Sequence, residues 1–240
     1  MKWKNGSELL TMAVYRLEDD SIWFPSPEEA VAEYDGLLAV GGDYSPERLL
    51  AAYSSGIFPW PVAEGEPITW FSPDPRFVLK AEDLHIPKSL EKVLRKGAFT
   101  YTVDKAFPEV IHACASVPRP GQDGTWITED LEKGYCELQR RGFAHSFETW
   151  LGGELVGGFY GVSIGRCFFG ESMFAHAPDA SKCAFATFAR RMFAAGTPWI
   201  DCQVYTDHLA RFGAKEIPRS AYLNLLAGEM ARISGTEECG

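Results

Sequence analysis

The sequence predicts an α+β fold, with a small N-terminal helical and irregular domain ahead of a larger domain built on a central mixed β-sheet. Three observations carry that reading. Segments FAHSFETW, ELVGGFYGV and RCFFGESMF follow one another with turn signals at Gly152-Gly153 and Ser163–Gly165 between them, the pattern of an antiparallel meander. Beyond them, helical and extended patterns alternate to the end of the chain. Before residue 75, by contrast, Pro and Gly interrupt every apolar run. With 240 residues, 46% of them hydrophobic, the chain can fill one large core, or one core plus a small one.

Taken in order, residues 1–21 read as a poorly constrained extension. Residues 22–75 read as the small N-terminal domain, and 76–240 as the larger domain. Ser26-Pro27-Glu28 and Ser45-Pro46-Glu47 each put Ser at an N-cap and Pro at the first helical position. The second of these opens a helix with Leu49, Leu50 and Tyr53 on one face, stopped by Gly56. Pro73 and Pro75 then break any regular element and mark the boundary.

Pro87–Lys96 is a short helix ended by Gly97, and AFTYTV a strand. Asp104 is placed to cap a helix running to about Ala115. Thr128 caps another, with Leu131, Tyr135 and Leu138 at helical spacing before Gly142. After the meander come a long helix over 182–195, the buried strand WIDCQVY and a short helix at His208–Phe212. A strand at AKEI and a last helix over about 219–227 complete the chain.

Bulk properties exclude several classes. The N-terminal twenty residues lack the apolar core of a signal peptide, and no run approaches the roughly 18 apolar residues of a membrane span. A soluble, cytoplasmic protein with no membrane partner is expected. Six cysteines, at 114, 136, 167, 183, 202 and 239, show neither a CxxC pair nor metal-ligand spacing to a histidine, so reduced thiols and no metal are expected. The net charge of -10 argues against nucleic acid as a partner of the whole surface, though not of a local basic patch.

Several motifs bear on chemistry. Gly161-Val-Ser163-Ile-Gly165 matches the serine-hydrolase elbow, but that elbow needs a helix after the turn, and RCFFGESMF reads as a strand. Asp201 and Gln203 fall on one face of an otherwise apolar strand. Such a pair is either a satisfied structural couple or a carboxylate oriented by an amide beside a reacting amine. Glu171, among aromatic residues, either caps a neighbouring helix or recognises a cation or base. Trp60 and Trp126 stand beside turn residues and either cover the core edge or offer a stacking face to a nucleobase. Lys88, Lys92, Arg95 and Lys96 share one side of a helix, with Leu90, Val93 and Leu94 on the other. That face is either simply solvated or holds phosphates.

The element order resembles the acyltransferase fold of the GNAT N-acetyltransferases, so the larger domain is expected to be GNAT-like. The glycine-rich turn with which those enzymes bind the pyrophosphate of acetyl-CoA has no counterpart in GESMFAHAPDASK. A second resemblance is closer. FPSPEEA, GLLAVGGDYSPERLLAAYSSGIFPW, WFSPDPRFVL, GTWIT, FFGESMF and IDCQV, in that order over about residues 22–226, resemble the leucyl/phenylalanyl-tRNA–protein transferases.

That resemblance implies transfer of Leu or Phe, and less readily Met, from aminoacyl-tRNA to proteins beginning with Arg or Lys, without cofactor. Such a transfer marks the acceptor for bacterial N-degron proteolysis, and the enzyme is expected to be a monomer. It further implies that Asp201 orients the acceptor amine and helps take its proton, with Gln203 completing the relay. Trp60, Trp126 and Glu171 would hold the terminal adenosine. Phe168, Met173 and Phe188 would form the donor side-chain pocket, and Lys88, Lys92, Arg95 and Lys96 would meet the tRNA backbone.

Overall fold

The computed structural model describes residues 14–60, 65–116 and 127–237. The N-terminal part carries β1 (Tyr15–Leu17), β2 (Leu37–Gly41), α1 (Pro46–Ser54), β3 (Phe58–Pro59) and β4 (Thr69–Phe71). Its strands form a four-stranded sheet in the order β1-β2-β4-β3, with β1 parallel to β2. The helix α1 stands where the Ser-Pro-Glu start predicts it. The sheet adds to the helical and irregular character read from the sequence, and it draws in residues 15–17, expected to lie in the extension. Strands of two to five residues are too short for a period of two to register.

The larger part carries β5 (Arg76–Lys80), α2 (Lys88–Lys96), β6 (Thr100–Val103), α3 (Phe107–Ser116), α4 (Glu129–Arg140), β7 (Ala144–Leu151), β8 (Glu154–Ile164), β9 (Cys167–Ala175), α5 (Ala180–Ala194), β10 (Trp199–Gln203), α6 (Asp207–Ala210), β11 (Lys215–Ile217) and α7 (Arg219–Glu237). Its sheet runs β11-β5-β10-β9-β8-β7-β6, antiparallel throughout except between β9 and β10. The meander β7-β8-β9 is therefore as expected. Ser163 lies within β8, and a turn at Gly165 leads into another strand, so the hydrolase elbow is absent.

Side chains alternate between two cores, one on each face of this sheet. Phe169, Val78 and Trp199 enter the core that holds α1, α3, α4 and the start of α7. Phe168, Leu79 and Ile200, their neighbours in sequence, enter the core that α5 and α2 cover. Gly161 matters here, because a Cβ on it would come within 2.3 Å of the Phe169 carbonyl and 2.5 Å of the Phe168 ring. Only glycine lets β8 pass beneath those aromatics.

Two helix ends differ from expectation. Thr128 caps α4 as predicted, its hydroxyl accepting from Leu131 N–H. Asp104 does not cap α3: it adopts φ +56, and its carboxylate accepts from Ser146 N–H and pairs with His145. The buried Glu148 of β7 instead accepts from Ala106 N–H just before α3, a long-range contact with no local signature. At the other end, α7 continues through Gly228, where a stop was expected. Met230 and Ile233 pack against the core beyond it, and burial outweighs the helix penalty of one glycine, roughly 1 kcal/mol.

Candidate active site

The ladder between the parallel strands β9 and β10 holds only Ile200↔Phe168 and Asp201↔Phe169. Beyond that point a cavity of about 480 Å³ opens, with β9 residues on one wall and β10 residues on the other. Its size is that of a small-molecule site. Phe159, Phe168, Met173, Phe185 and Ile200 make its apolar side, and Trp60 with Phe58 closes another. Trp60 is half-buried, its ring 5.9 Å edge-on to Phe71.

Both strands carry a β-bulge beside the cavity. Tyr160↔Ser172 and Gly161↔Gly170 leave Glu171 as the extra residue of β9. Asp201↔Val78 and Gln203↔Phe77 leave Cys202 as the extra residue of β10. A bulge re-aims the side chains around it, and here it turns Glu171 and Gln203 toward each other. Gln203 Nε2 donates to Glu171 Oε1 at 2.7 Å. Tyr53 from α1 donates to the same oxygen at 2.6 Å, and Tyr135 from α4 to Oε2 at 3.0 Å, the two phenols also touching. Of the two readings left open for Glu171, helix capping is not what it does.

Burial pushes the Glu171 carboxyl up to about 8, against the lowering effect of the tyrosine hydroxyls. The charge of Asp201 raises it further, and the Gln203 amide opposes. Burial raises both phenols well above the usual tyrosine value, with Glu171 adding to the effect, so they stay protonated donors.

Asp201 is wholly buried and bound on both oxygens. Arg76 holds it with two hydrogen bonds, Nε to Oδ1 at 2.9 Å and Nη2 to Oδ2 at 2.6 Å. Tyr222 OH donates to Oδ2 at 2.8 Å and Gln203 backbone N–H to Oδ1 at 2.9 Å. The two strand residues are thus linked through the backbone of Gln203, not side chain to side chain. For Arg76, burial acts to lower its affinity for a proton, but Asp201 and Tyr222 outweigh it and hold the guanidinium charged.

Among the other expected residues, Phe168 and Met173 line the cavity, whereas Phe188 sits one layer behind, its ring 4.6 Å from that of Phe168. Trp126 lies outside the described residues. Lys88, Lys92, Arg95 and Lys96 are exposed on the outer side of α2, away from the cavity lining, while Leu90 is buried. Sequence reasoning did not single out Arg76, Tyr222, Tyr53 or Tyr135. Arg76 had a signal of the Asp201 kind, a charge leading the apolar run RFVL. The tyrosines had none, for they fit helical core periodicity. Also unforeseen was His208 at the cavity lip, whose burial, followed by the charges of Lys182 and Arg211, lowers it to about 4 and leaves it neutral at pH 7.

Among the described residues no group of three His, Cys, Asp or Glu side chains is placed to hold a metal, and no helix is long and apolar enough to cross a membrane.

Comparison with known proteins bears on what this cavity serves. The family model described as leucyl/phenylalanyl-tRNA protein transferase matches residues 78–227, and the model of that family's N-terminal domain matches 42–74. A leucyl/phenylalanyl-tRNA–protein transferase of Myxococcus xanthus is 56% identical over 220 residues, covering 91% of this chain and 93% of its own. One from Anaeromyxobacter sp. (strain K) is 56% identical over 216 residues, covering 90% and 91%. A GCN5-related N-acetyltransferase from Kribbella flavida superposes with a TM-score of 0.34 at 12% identity, over 74% of this chain and 63% of its own. The chain therefore belongs to the leucyl/phenylalanyl-tRNA protein transferase family, and it is an aminoacyl-tRNA–protein transferase.

Proposed function

We propose that the enzyme takes Leu or Phe, and less readily Met, from its tRNA and joins it to the N-terminal α-amine of proteins beginning with Arg or Lys. The product is a bacterial N-degron, made in the cytoplasm by a monomer whose residues 22–75 and 76–240 act as two domains. One observation carries this reading: an apolar cavity ends at a buried polar set in which Gln203 is held by Glu171 at its side chain and by Asp201 at its backbone. Phe168 and Met173, with Phe188 behind them, hold the donor side chain. Burying a Leu or Phe side chain there contributes about 1.5–3 kcal/mol. A wall narrow near the side-chain Cβ disfavours Ile and Val. Trp60, Trp126 and Glu171 hold the terminal adenosine.

The donor is already an ester, so no further activation is required. The acceptor amine, with an ordinary pKa of about 8, must shed a proton to attack. Its nitrogen attacks the ester carbonyl, the C–N bond forms, and the C–O bond to the ribose oxygen breaks. A proton from the amine ends on that oxygen. Gln203, its amide N–H₂ engaged by Glu171, turns its carbonyl oxygen to the amine and accepts a hydrogen bond that orients it for attack. Asp201, itself neutralised by Arg76, holds the Gln203 backbone N–H and so fixes the side chain that meets the amine, whose first proton leaves to water. Lys88, Lys92, Arg95 and Lys96 meet tRNA phosphates.

The test is transfer of radiolabelled leucine from Leu-tRNA to a peptide beginning with Arg, without ATP or CoA. Label is expected on that peptide and on neither an Asp-initiated peptide nor, to a comparable extent, any acceptor supplied with Ile-tRNA. Charge reversal of Lys88, Lys92 and Arg95 should raise KM for the tRNA and leave kcat in place. Equal labelling of the acidic peptide would overturn the acceptor assignment, and an unchanged KM the basic-helix assignment.

A further inference from the structure

We infer that Arg76 and Tyr222 are positioning residues for the transfer, a clamp that acts through Asp201 to fix the backbone and side chain of Gln203. The inference rests on the reading of Gln203 as the group facing the amine. Its geometry, however, is independent of that reading.

A carboxylate has about four acceptor sites. Those of Asp201 are taken by Arg76 Nε, Arg76 Nη2, Tyr222 OH and Gln203 N–H. No site is left for a substrate amine unless one of these bonds breaks. Asp201 borders the cavity, but with its carboxylate fully engaged it acts through what it holds. Of its partners, only Gln203 faces the cavity.

Gln203 also needs holding. It sits at φ +61, a left-handed conformation that residues with a Cβ seldom adopt, directly after the bulge at Cys202. The N–H bond to Asp201 secures that turn, and the turn aims Nε2 at Glu171.

Arg76 in turn is fixed by parts of the chain far from β10. Its guanidinium carbon lies 4.7 Å from the Phe58 ring centroid and 4.5 Å from that of Tyr222, so the plane is held between two aromatic faces. Its Nη1 donates to the carbonyl of Gly56 at 3.2 Å. Gly56 has φ +78, and a Cβ there would come within 2.7 Å of Leu223 and 3.0 Å of Tyr222. Glycine is thus the residue that lets this carbonyl reach the arginine. The N-terminal segment and α7 meet at one guanidinium and pass their positions to Gln203. Lysine could supply the charge but neither the two parallel bonds nor the flat face.

The experiment uses the full chain with two variants, Arg76→Lys, which keeps the charge, and Tyr222→Phe, which keeps the ring. Wild type carries three glutamines, Gln122, Gln139 and Gln203, so ¹⁵N-glutamine labelling yields three side-chain amide signals, with Gln203 assigned by its loss in Gln203→Asn. In both variants the Gln203 amide should move toward the position of a free amide. The kcat for leucine transfer should fall ~10-fold or more in Arg76→Lys and ~3-fold in Tyr222→Phe, with KM for Leu-tRNA within about twofold of wild type. An unmoved Gln203 amide in a folded variant overturns the clamp, whatever kcat does. Should Arg76→Lys fail to fold by thermal melt, Tyr222→Phe decides alone. A wild type that transfers nothing, with a Gln203 amide that still moves in the variants, would sink the functional reading and leave the clamp in place.

Discussion

The two sides of the cavity are built on different principles. The apolar side is a stack of rings and branched chains, Phe159, Phe168, Phe185 and Ile200, backed by Phe147 and Phe188. Each contributes by volume, and a neighbour of similar size could replace it at a cost usually below about 1.5 kcal/mol. The polar side is a connected set in which Arg76, Asp201, Gln203, Glu171, Tyr53 and Tyr135 each satisfy the next. Removing one member leaves another buried and unpaired. The comparison teaches that the apolar side tolerates change by degrees, whereas the polar side fails as a unit.

Asp201→Ala tests this most severely. It strips a fully buried guanidinium of its counter-charge, so stability should fall by about 3–5 kcal/mol. Transfer should slow by ~100-fold or more as Gln203 loses its anchor. Chemical denaturation and single-turnover transfer measure the two losses. A variant as stable and fast as wild type would erase the distinction between the two sides.

A change of intermediate size comes from the apolar side. Phe168→Leu should cost about 1–2 kcal/mol in stability, because it leaves a partial void beside Phe188 and Gly161. It should leave acceptor kinetics intact and shift donor preference toward Phe over Leu, read by competition between the two charged tRNAs. An unshifted preference would show that this ring does not shape the donor site.

A pH dependence of stability, no larger than the Phe168→Leu loss, completes the series. Glu171 is raised from 4.5 to about 8 in the folded protein, so folding favours its protonated form. Its stabilising contribution is complete below about pH 4.5 and is lost as pH rises through about 8. Glu171→Gln mimics the protonated carboxyl at every pH. It should melt close to wild type at pH 5 and be more stable by on the order of 1–2 kcal/mol at pH 9, the cavity's access to water limiting the difference. Identical melting differences at both pH values would mean that the tyrosines and the Gln203 amide outweigh burial and hold the carboxylate charged.

Much of the apolar side could be read from the chain. Phe168 and Met173 are assigned to it through the family resemblance, not alternation, for only the bulge at Glu171 brings these two residues to one face. The polar side was half legible. Asp201, Gln203 and Glu171 attracted notice because a polar side chain within an apolar strand demands an explanation. Their partners did not, since Tyr53, Tyr135 and Tyr222 fit the core periodicity of their helices and Arg76 lies 125 residues from Asp201.

The sequence by itself determined the α+β class, the meander, most helix starts, the family and the chemistry-bearing residues of β9 and β10. These are local properties, fixed by period, turn chemistry and motif within a few residues of each position. The tertiary structure alone decided the short N-terminal sheet, the Glu148 contact that ends at α3, and the two facing bulges. It also decided that Asp201, at the cavity's edge, meets an arginine and holds the backbone of Gln203. Bulge register and buried ion pairing depend on which distant segment lies alongside, and no periodicity within one segment encodes its neighbour.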